Sequence, residues 1–236
     1  DKIVRTADEV VTASSSIREY FGRGEVITNA AADETVALWK SGKKEPGSRF
    51  VVGVLGTINH LCPIDPLFKT LACLLKTEPE LRNTIRIMHV GHCDADMVRA
   101  QASLYELGDL IDLKGYLERK TAIRTLVQAD LLYLSVHRFE EYNILPGRIF
   151  DYLVSGKPVL GIIPADSDAA TLIGEYSQGA AFRHDEIEKA AAYIKRMFEK
   201  RSAIGNAGGI HDPGLIASAM ADQYALVLNR LQDGEP

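Results

Sequence analysis

Between Phe50 and Lys200 the chain repeats one alternation: a short apolar run, a turn holding glycine or a polar residue, then an amphipathic stretch. The runs are Phe50 to Gly56, Ile85 to Val90, Leu110 to Leu113, Asp130 to Val136, Pro158 to Ile163 and Ala180 to Phe182. They are rich in Val, Ile and Leu and lack polar alternation, so both faces of each strand must be covered. The stretches after the first five runs are Pro66 to Lys76, Asp94 to Leu107, Arg119 to Gln128, Pro146 to Val154 and Asp168 to Glu175, and Asp185 to Lys200 closes the series. They carry helical spacing, as in Leu67, Leu71, Leu74 and Leu75 on one face, and Asp94 is placed to cap its helix. Buried strands alternating with helices predict an α/β domain with a doubly wound parallel sheet.

The flanks differ. The first 49 residues read as two short strands, Ala7 to Thr12 and Glu25 to Asn29, around a helix from Ser14 to Phe21. Ser41 to Ser48 has linker composition, and Asn206-Ala207-Gly208-Gly209 breaks the chain before a last helix from about Pro213 to Leu231. The expected division is residues 1–45, 46–205 and 206–236. The chain opens in mid-helix without a Met, which reads as a piece of a longer protein. A net charge of -5 argues against a nucleic-acid partner. Cys62, Cys73 and Cys93 are too few and odd in number for a disulfide framework, which suits reduced thiols in the cytosol. No signal peptide and no bilayer-spanning run is visible.

In an open parallel sheet the ligand lies beyond the carboxyl ends of the strands, at the switch in strand order. The loops there offer Gly56 and Thr57, Gly91 and His92, Gly115, Tyr116 and Leu117, and His137, Arg138, Ile144 and Leu145 as nucleotide-binding candidates. The loop after Val136 is the longest and most polar of them. Pro146 suits a first helical turn, and the amides there form an anion site with the helix dipole. Arg148 and Asp151, three residues apart, share a face, so a diphosphate at the helix start and a ribose held by the Asp151 carboxylate fit the spacing. The alternative is an exposed, weak Arg148–Asp151 pair.

Pro146-Gly147-Arg148-Ile149-Phe150-Asp151-Tyr152-Leu153-Val154-Ser155-Gly156-Lys157-Pro158-Val159 resembles the signature of the large retaining "group 1" family of GT-B glycosyltransferases: Pro, a basic residue, Glu-Tyr-Leu-Ala and a Gly-Lys-Pro-Val turn. Ala129 to Leu134, Leu113 to Leu117 and Ile87 to Gly91 are similar to that family's strand before the site, its glycine turn beside the base and a strand-then-Gly step. Thr6 to Ser14 and Val26 to Asn29 look like the end of its N-terminal domain and the crossing into the second. The resemblance implies a Rossmann-like nucleotide-sugar-binding C-terminal domain, with residues 1–45 a remnant of the N-terminal domain. It implies transfer from a nucleotide-diphosphate sugar to an acceptor that is a glycan, lipid or small molecule, without metal or other cofactor. It implies a cytoplasmic protein, with peripheral attachment at the inner membrane face through the missing domain left open. The family's two acidic positions fall on Asn143, as a donor-sugar contact in the catalytic centre, and on Asp151. Asn143 departs from the usual glutamate, and Gly56-Thr57-Ile58-Asn59-His60 lacks the Arg and Lys that often grip the diphosphate, a role open to Arg138 or Arg148.

The competing readings are a nucleotide-sugar epimerase of related fold and a non-catalytic sugar-nucleotide-binding module. With the acceptor half missing, the isolated chain is expected to be inactive. His89, His92, Cys93, Asp94 and Asp96 resemble a metal cluster only in composition, since strand, turn and cap positions do not converge. Gly22-Arg23-Gly24 and the glycines near residue 207 lack the setting of phosphate loops, and no Gly-x-Ser-x-Gly elbow appears. Trp39 reads as a packing residue.

Overall fold

The computed structural model describes residues 2–45, 49–136, 145–201 and 213–233. In chain order the first segment holds α1 (Lys2–Thr6), β1 (Val11–Thr12), α2 (Ser15–Phe21), β2 (Glu25–Val26) and α3 (Asp33–Ser41). The alternating region holds β3 (Phe50–Leu55), α4 (Asp65–Thr77), β4 (Ile85–Val90), α5 (Ala95–Leu104), β5 (Ile111–Leu113), α6 (Arg119–Leu126) and β6 (Leu131–Ser135). It continues with α7 (Arg148–Leu153), β7 (Val159–Ile162), α8 (Asp168–Tyr176), β8 (Ala180–Phe182) and α9 (Ile187–Lys200), and α10 (Ala217–Asp233) follows.

β3 to β8 form one parallel sheet in the order β5-β4-β3-β6-β7-β8. The chain winds outward from β3 to β5, then returns to place β6 beside β3 and winds the other way. The switch point is therefore the β3–β6 boundary, where a crevice opens at the strand ends. Both faces are covered, as the unbroken apolar runs require. Within β6, Leu131 and Tyr133 enter one core with Leu67, Leu71 and Leu74 of α4 and Ile194 of α9. Leu132 and Leu134 enter the opposite core with Ile123 and Leu126 of α6, Ile149 and Leu153 of α7 and Ile173 of α8. Successive side chains of one strand thus feed two different cores.

Local chemistry fixes the helix starts. The Asp94 carboxylate accepts from the Met97 amide at 3.0 Å and caps α5, and Ser167 caps α8 through the Ala170 amide at 3.2 Å. α7 is shorter than its sequence pattern suggests. It begins at Arg148 after Gly147, which offers no side-chain cap. One residue positions it: the buried Tyr152 hydroxyl accepts from the Leu55 amide at 2.8 Å and donates to the Tyr133 carbonyl at 3.2 Å. α7 is thereby pinned to the end of β3 and the middle of β6. The turn after it has Gly156 at φ +68°, and the half-buried Lys157 donates to the Val127 and Ala129 carbonyls at 3.0 and 2.6 Å with its ammonium over the Trp39 ring.

The first segment differs from its sequence reading. The paired parts of β1 and β2 are two residues each, and they run parallel on either side of α2. α3 adds a helix beyond the two strands and one helix that the sequence predicts for this segment, and Asp33 and Glu34 in its first turn suit the helix dipole. Trp39 of α3 is buried against the α6 core, a packing role. Ala31 then bridges to the far end of the chain: its amide donates to the Leu215 carbonyl at 2.8 Å, and its carbonyl accepts from Ala217 at 2.9 Å. No described helix is long and apolar enough to cross a membrane.

Candidate functional site

A cavity of about 610 Å³ opens at the switch point. The end of β3 contributes Leu55, Gly56 and Thr57, the end of β4 Val90, Gly91 and His92, and the loop after β5 Tyr116 and Leu117. α6 contributes Arg119, Ala122 and Ile123, and Gly147, Arg148 and Asp151 come from the start of α7. Asn29, Ala30 and Met220 complete the wall from the two ends of the chain.

Eight of the residues picked from sequence therefore meet in one cavity: Gly56, Thr57, Gly91, His92, Tyr116, Leu117, Arg148 and Asp151. Gly115 and Leu145 are not in its wall. Gly115 supports it from behind, its carbonyl accepting from the Gly91 amide at 2.9 Å, while Leu145 packs on the α6–α7 core. Asn143, His137, Arg138 and Ile144 lie outside the described residues.

The strand-end glycines are there for backbone reasons. Gly56 has φ +95° and Gly91 φ +147°, where a side chain is strained. A Cβ on Gly91 would stand 2.2 Å from the Gly56 carbonyl oxygen, so the loops after β3 and β4 touch backbone to backbone. His89, fully buried in β4, secures that contact. Its Nε2 lies 2.7 Å from the Gly56 carbonyl, and since a carbonyl only accepts, Nε2 carries the proton. Burial pushes the imidazole below its ordinary pKa, the bond to Gly56 opposes this, and the nearby Arg148 charge adds to it. His89 is thus a structural neutral histidine. His92, by contrast, stacks on Tyr116 at the cavity rim, centroids 4.8 Å apart and planes 19° from parallel. With Asp94 spent on a helix cap, the metal-like composition of this stretch is divided among unrelated tasks, and no grouping able to hold a metal occurs among the described residues.

Arg148 and Asp151 are not the exposed pair that their spacing allows. Asp151 is 5% exposed, and its partner is Arg119 of α6, whose Nη2 donates to Oδ1 at 2.6 Å. Burial raises the Asp151 pKa while the Arg119 charge holds it down, with burial the larger effect. Arg148 turns the other way. Its Nη2 reaches the Ser135 carbonyl at 3.3 Å, and a Cβ on Gly56 would lie 3.2 Å from its Nη1. Arg148 Nε is buried without a hydrogen-bond partner among the described residues, as are His89 Nδ1 and Trp39 Nε1, and of these three residues Arg148 is the one in the cavity wall. An orphaned guanidinium nitrogen at a cavity wall suits a site that a polar ligand completes.

No family model and no curated protein matches the sequence. Solved structures do match. A sucrose-phosphate synthase from Thermosynechococcus elongatus superposes with a TM-score of 0.69 at 15% identity, over 99% of this chain and 61% of that one. The Anabaena HepE protein, solved with UDP and glucose, gives 0.67 at 18% identity, over 96% and 64%. An α,α-trehalose 6-phosphate synthase from Burkholderia multivorans gives 0.68 at 10% identity, over 99% and 62%. The shared fold is the Rossmann-like domain of GT-B glycosyltransferases. The chain spans less than two thirds of the length of each of these proteins.

Arg119 is the charged cavity residue that the sequence did not reveal, and the apolar or small residues Leu55, Val90, Ala122, Ile123, Gly147 and Met220, with Asn29 and Ala30, were not picked either. The signal for Arg119 is present in hindsight, since Arg119 and Lys120 stand in the first turn of α6, where the helix dipole disfavours cations and that turn holds no acidic residue.

Proposed function

We propose that this chain is the donor-binding domain of a glycosyltransferase, with the nucleoside diphosphate of a nucleotide sugar held in the switch-point cavity. The observation that carries the reading is the meeting of Asp151, Arg148 and the positive-φ glycines Gly56 and Gly91 in that one cavity. A carboxylate deep in the wall accepts paired hydroxyls such as those of a ribose. The glycine loops let a ligand approach the backbone closely. Arg148, beside Gly56, supplies a cation for a diphosphate, in place of the Arg and Lys that the loop after β3 lacks. The UDP and glucose of the HepE complex, on the same fold, support a nucleotide-sugar ligand. In this reading residues 1–45 are the remnant of an acceptor-side domain, transfer retains stereochemistry and proceeds without a metal, and the isolated chain transfers nothing.

Calorimetric titration with UDP, GDP and ADP tests the assignment. Binding of one of them is expected, and Asp151→Ala should weaken it by about 1–3 kcal/mol, the worth of hydrogen bonds to a charged acceptor. Failure of all three nucleotides to bind would remove the donor-site assignment.

A further inference from the structure

Asp151 and Arg119 make an odd couple for a structural ion pair. The Asp151 side chain is 7% exposed and the Arg119 side chain 55%. Taking a carboxylate out of water is expensive, and a single, half-solvated cation repays little of that cost. A pair of this kind does not account for itself by stability. Arg119 is the one hydrogen-bond partner that the described residues give Asp151, and both side chains line the same cavity. The same Nη2 also donates to the Thr35 hydroxyl at 3.0 Å. Thr35 is buried in α3, so one nitrogen of the guanidinium is held between a fixed hydroxyl and the carboxylate.

Taking the donor-site reading as its basis, we propose that Arg119 is the positioning residue for Asp151, fixing the rotation and the ionised state of the carboxylate so that it accepts the ribose hydroxyls of the nucleotide. The physical steps are short. A carboxylate can turn about its Cβ–Cγ bond, and a hydrogen bond to Oδ1 removes that freedom before the ligand arrives. Ionisation matters as much, because a protonated carboxyl loses the charge that strengthens its bonds to hydroxyls. The Arg119 charge opposes the protonation that burial favours at this position. Arg119 in turn is steadied by Thr35, and the neighbouring Lys120–Glu34 pair at 2.8 Å joins the same two helices. The ribose acceptor is therefore set by a strut that begins in α3, in the first segment of the chain.

The test compares the nucleoside diphosphate that binds most tightly with its 2′-deoxy counterpart, by calorimetry, on the full chain, for wild type, Arg119→Ala and Arg119→Lys. The proposal expects wild type to prefer the ribose form by about tenfold, as one hydrogen bond to a charged group would give. It expects Arg119→Ala to lose that preference by weakening the ribose form alone, and Arg119→Lys to restore most of it. Arg119→Lys keeps the charge and most of the side-chain volume, so the comparison stands even if the alanine variant does not fold. Equal weakening of both nucleotides in the variants would mean that Arg119 grips the phosphates or only supports the wall, and would overturn the proposal while leaving the donor site intact. An unchanged ribose preference in Arg119→Ala would overturn it equally. If wild type binds no nucleoside diphosphate at all, the donor-site reading itself falls and the proposal with it.

Discussion

Replacing Gly91 by alanine should damage this protein far more than the same change at Gly115, although both glycines follow a strand of the same sheet. At Gly91 the added Cβ meets the Gly56 carbonyl oxygen at 2.2 Å, its carbon at 2.6 Å and its Cα at 2.9 Å. All three are backbone atoms, so no rotamer change relieves the clash, and the loops after β3 and β4 must part by roughly an ångström or more to reach ordinary contact. Overpacking of this kind costs about 1–3 kcal/mol, and the backbone conformation at φ +147° adds about 1–3 kcal/mol for a residue with a side chain. The sum is about 2–6 kcal/mol. At Gly115 the added Cβ meets nothing within 4 Å, leaving only the cost of φ +68°, about 1–2 kcal/mol. Thermal unfolding followed by circular dichroism reads the difference, since each kcal/mol moves the midpoint of a domain this size by about 2–4 °C. Because Gly56 and Thr57 form the wall that must shift, nucleotide affinity should fall in Gly91→Ala and survive in Gly115→Ala. Equal melting points for the two variants would refute the claim that backbone contact, rather than conformation alone, requires glycine at residue 91.

Two further expectations concern pH. His89 has a folded-state pKa below its ordinary value, so the unfolded chain binds the proton more readily. Stability should therefore be full above about pH 6.5 and fall as pH drops below it, and urea titrations of wild type and His89→Gln between pH 7.5 and 5 should show the variant to be less pH-sensitive, a parallel decline counting against the assignment. Lys157 is pushed by burial to about 8 from an ordinary 10.5. Between those values the unfolded chain again holds more protons, so stability should rise with pH from about 8 toward 10.5, by at most about 3 kcal/mol, and Lys157→Met should remove the rise. A wild-type curve that is flat across that window would show that the two carbonyl bonds of Lys157 outweigh its burial.

The sheet was legible in the sequence because its signal is local: apolar runs buried on both faces keep their character whatever packs on them. Ile85–Val90 and Ala180–Phe182 carry their bounds in their composition. The first segment was harder, since β1 and β2 owe two-residue pairing to tertiary contact and α3 shows a pattern only once Trp39 has a core to enter. At the site, strand-end glycines were found because turns demand them, and Asp151 because its neighbours form a motif. Its partner was not. Arg119 lies 32 residues away on another helix, and spacing along one helix pointed to Arg148 instead. Distance in sequence hides an ion pair that the winding of the sheet brings together.

The bridge between Ala31 and Ile216 ties the first segment of the chain to its last helix and so closes the stretch between them, sheet included, into a ring. Closing a long loop costs little more than closing a short one, because the entropic cost grows only with the logarithm of length. The clasp joins the two arms by two backbone hydrogen bonds, by burial of Ala31 and Leu215 in one core, by the Ser218–Asp33 hydrogen bond and by the Arg230–Glu25 ion pair. It also brings Asn29 and Ala30 from one arm, and Met220 from the other, to the mouth of the cavity. The cavity is therefore walled by both arms of that clasp as well as by the strand ends, so a change in either arm alters its lining directly rather than through the sheet.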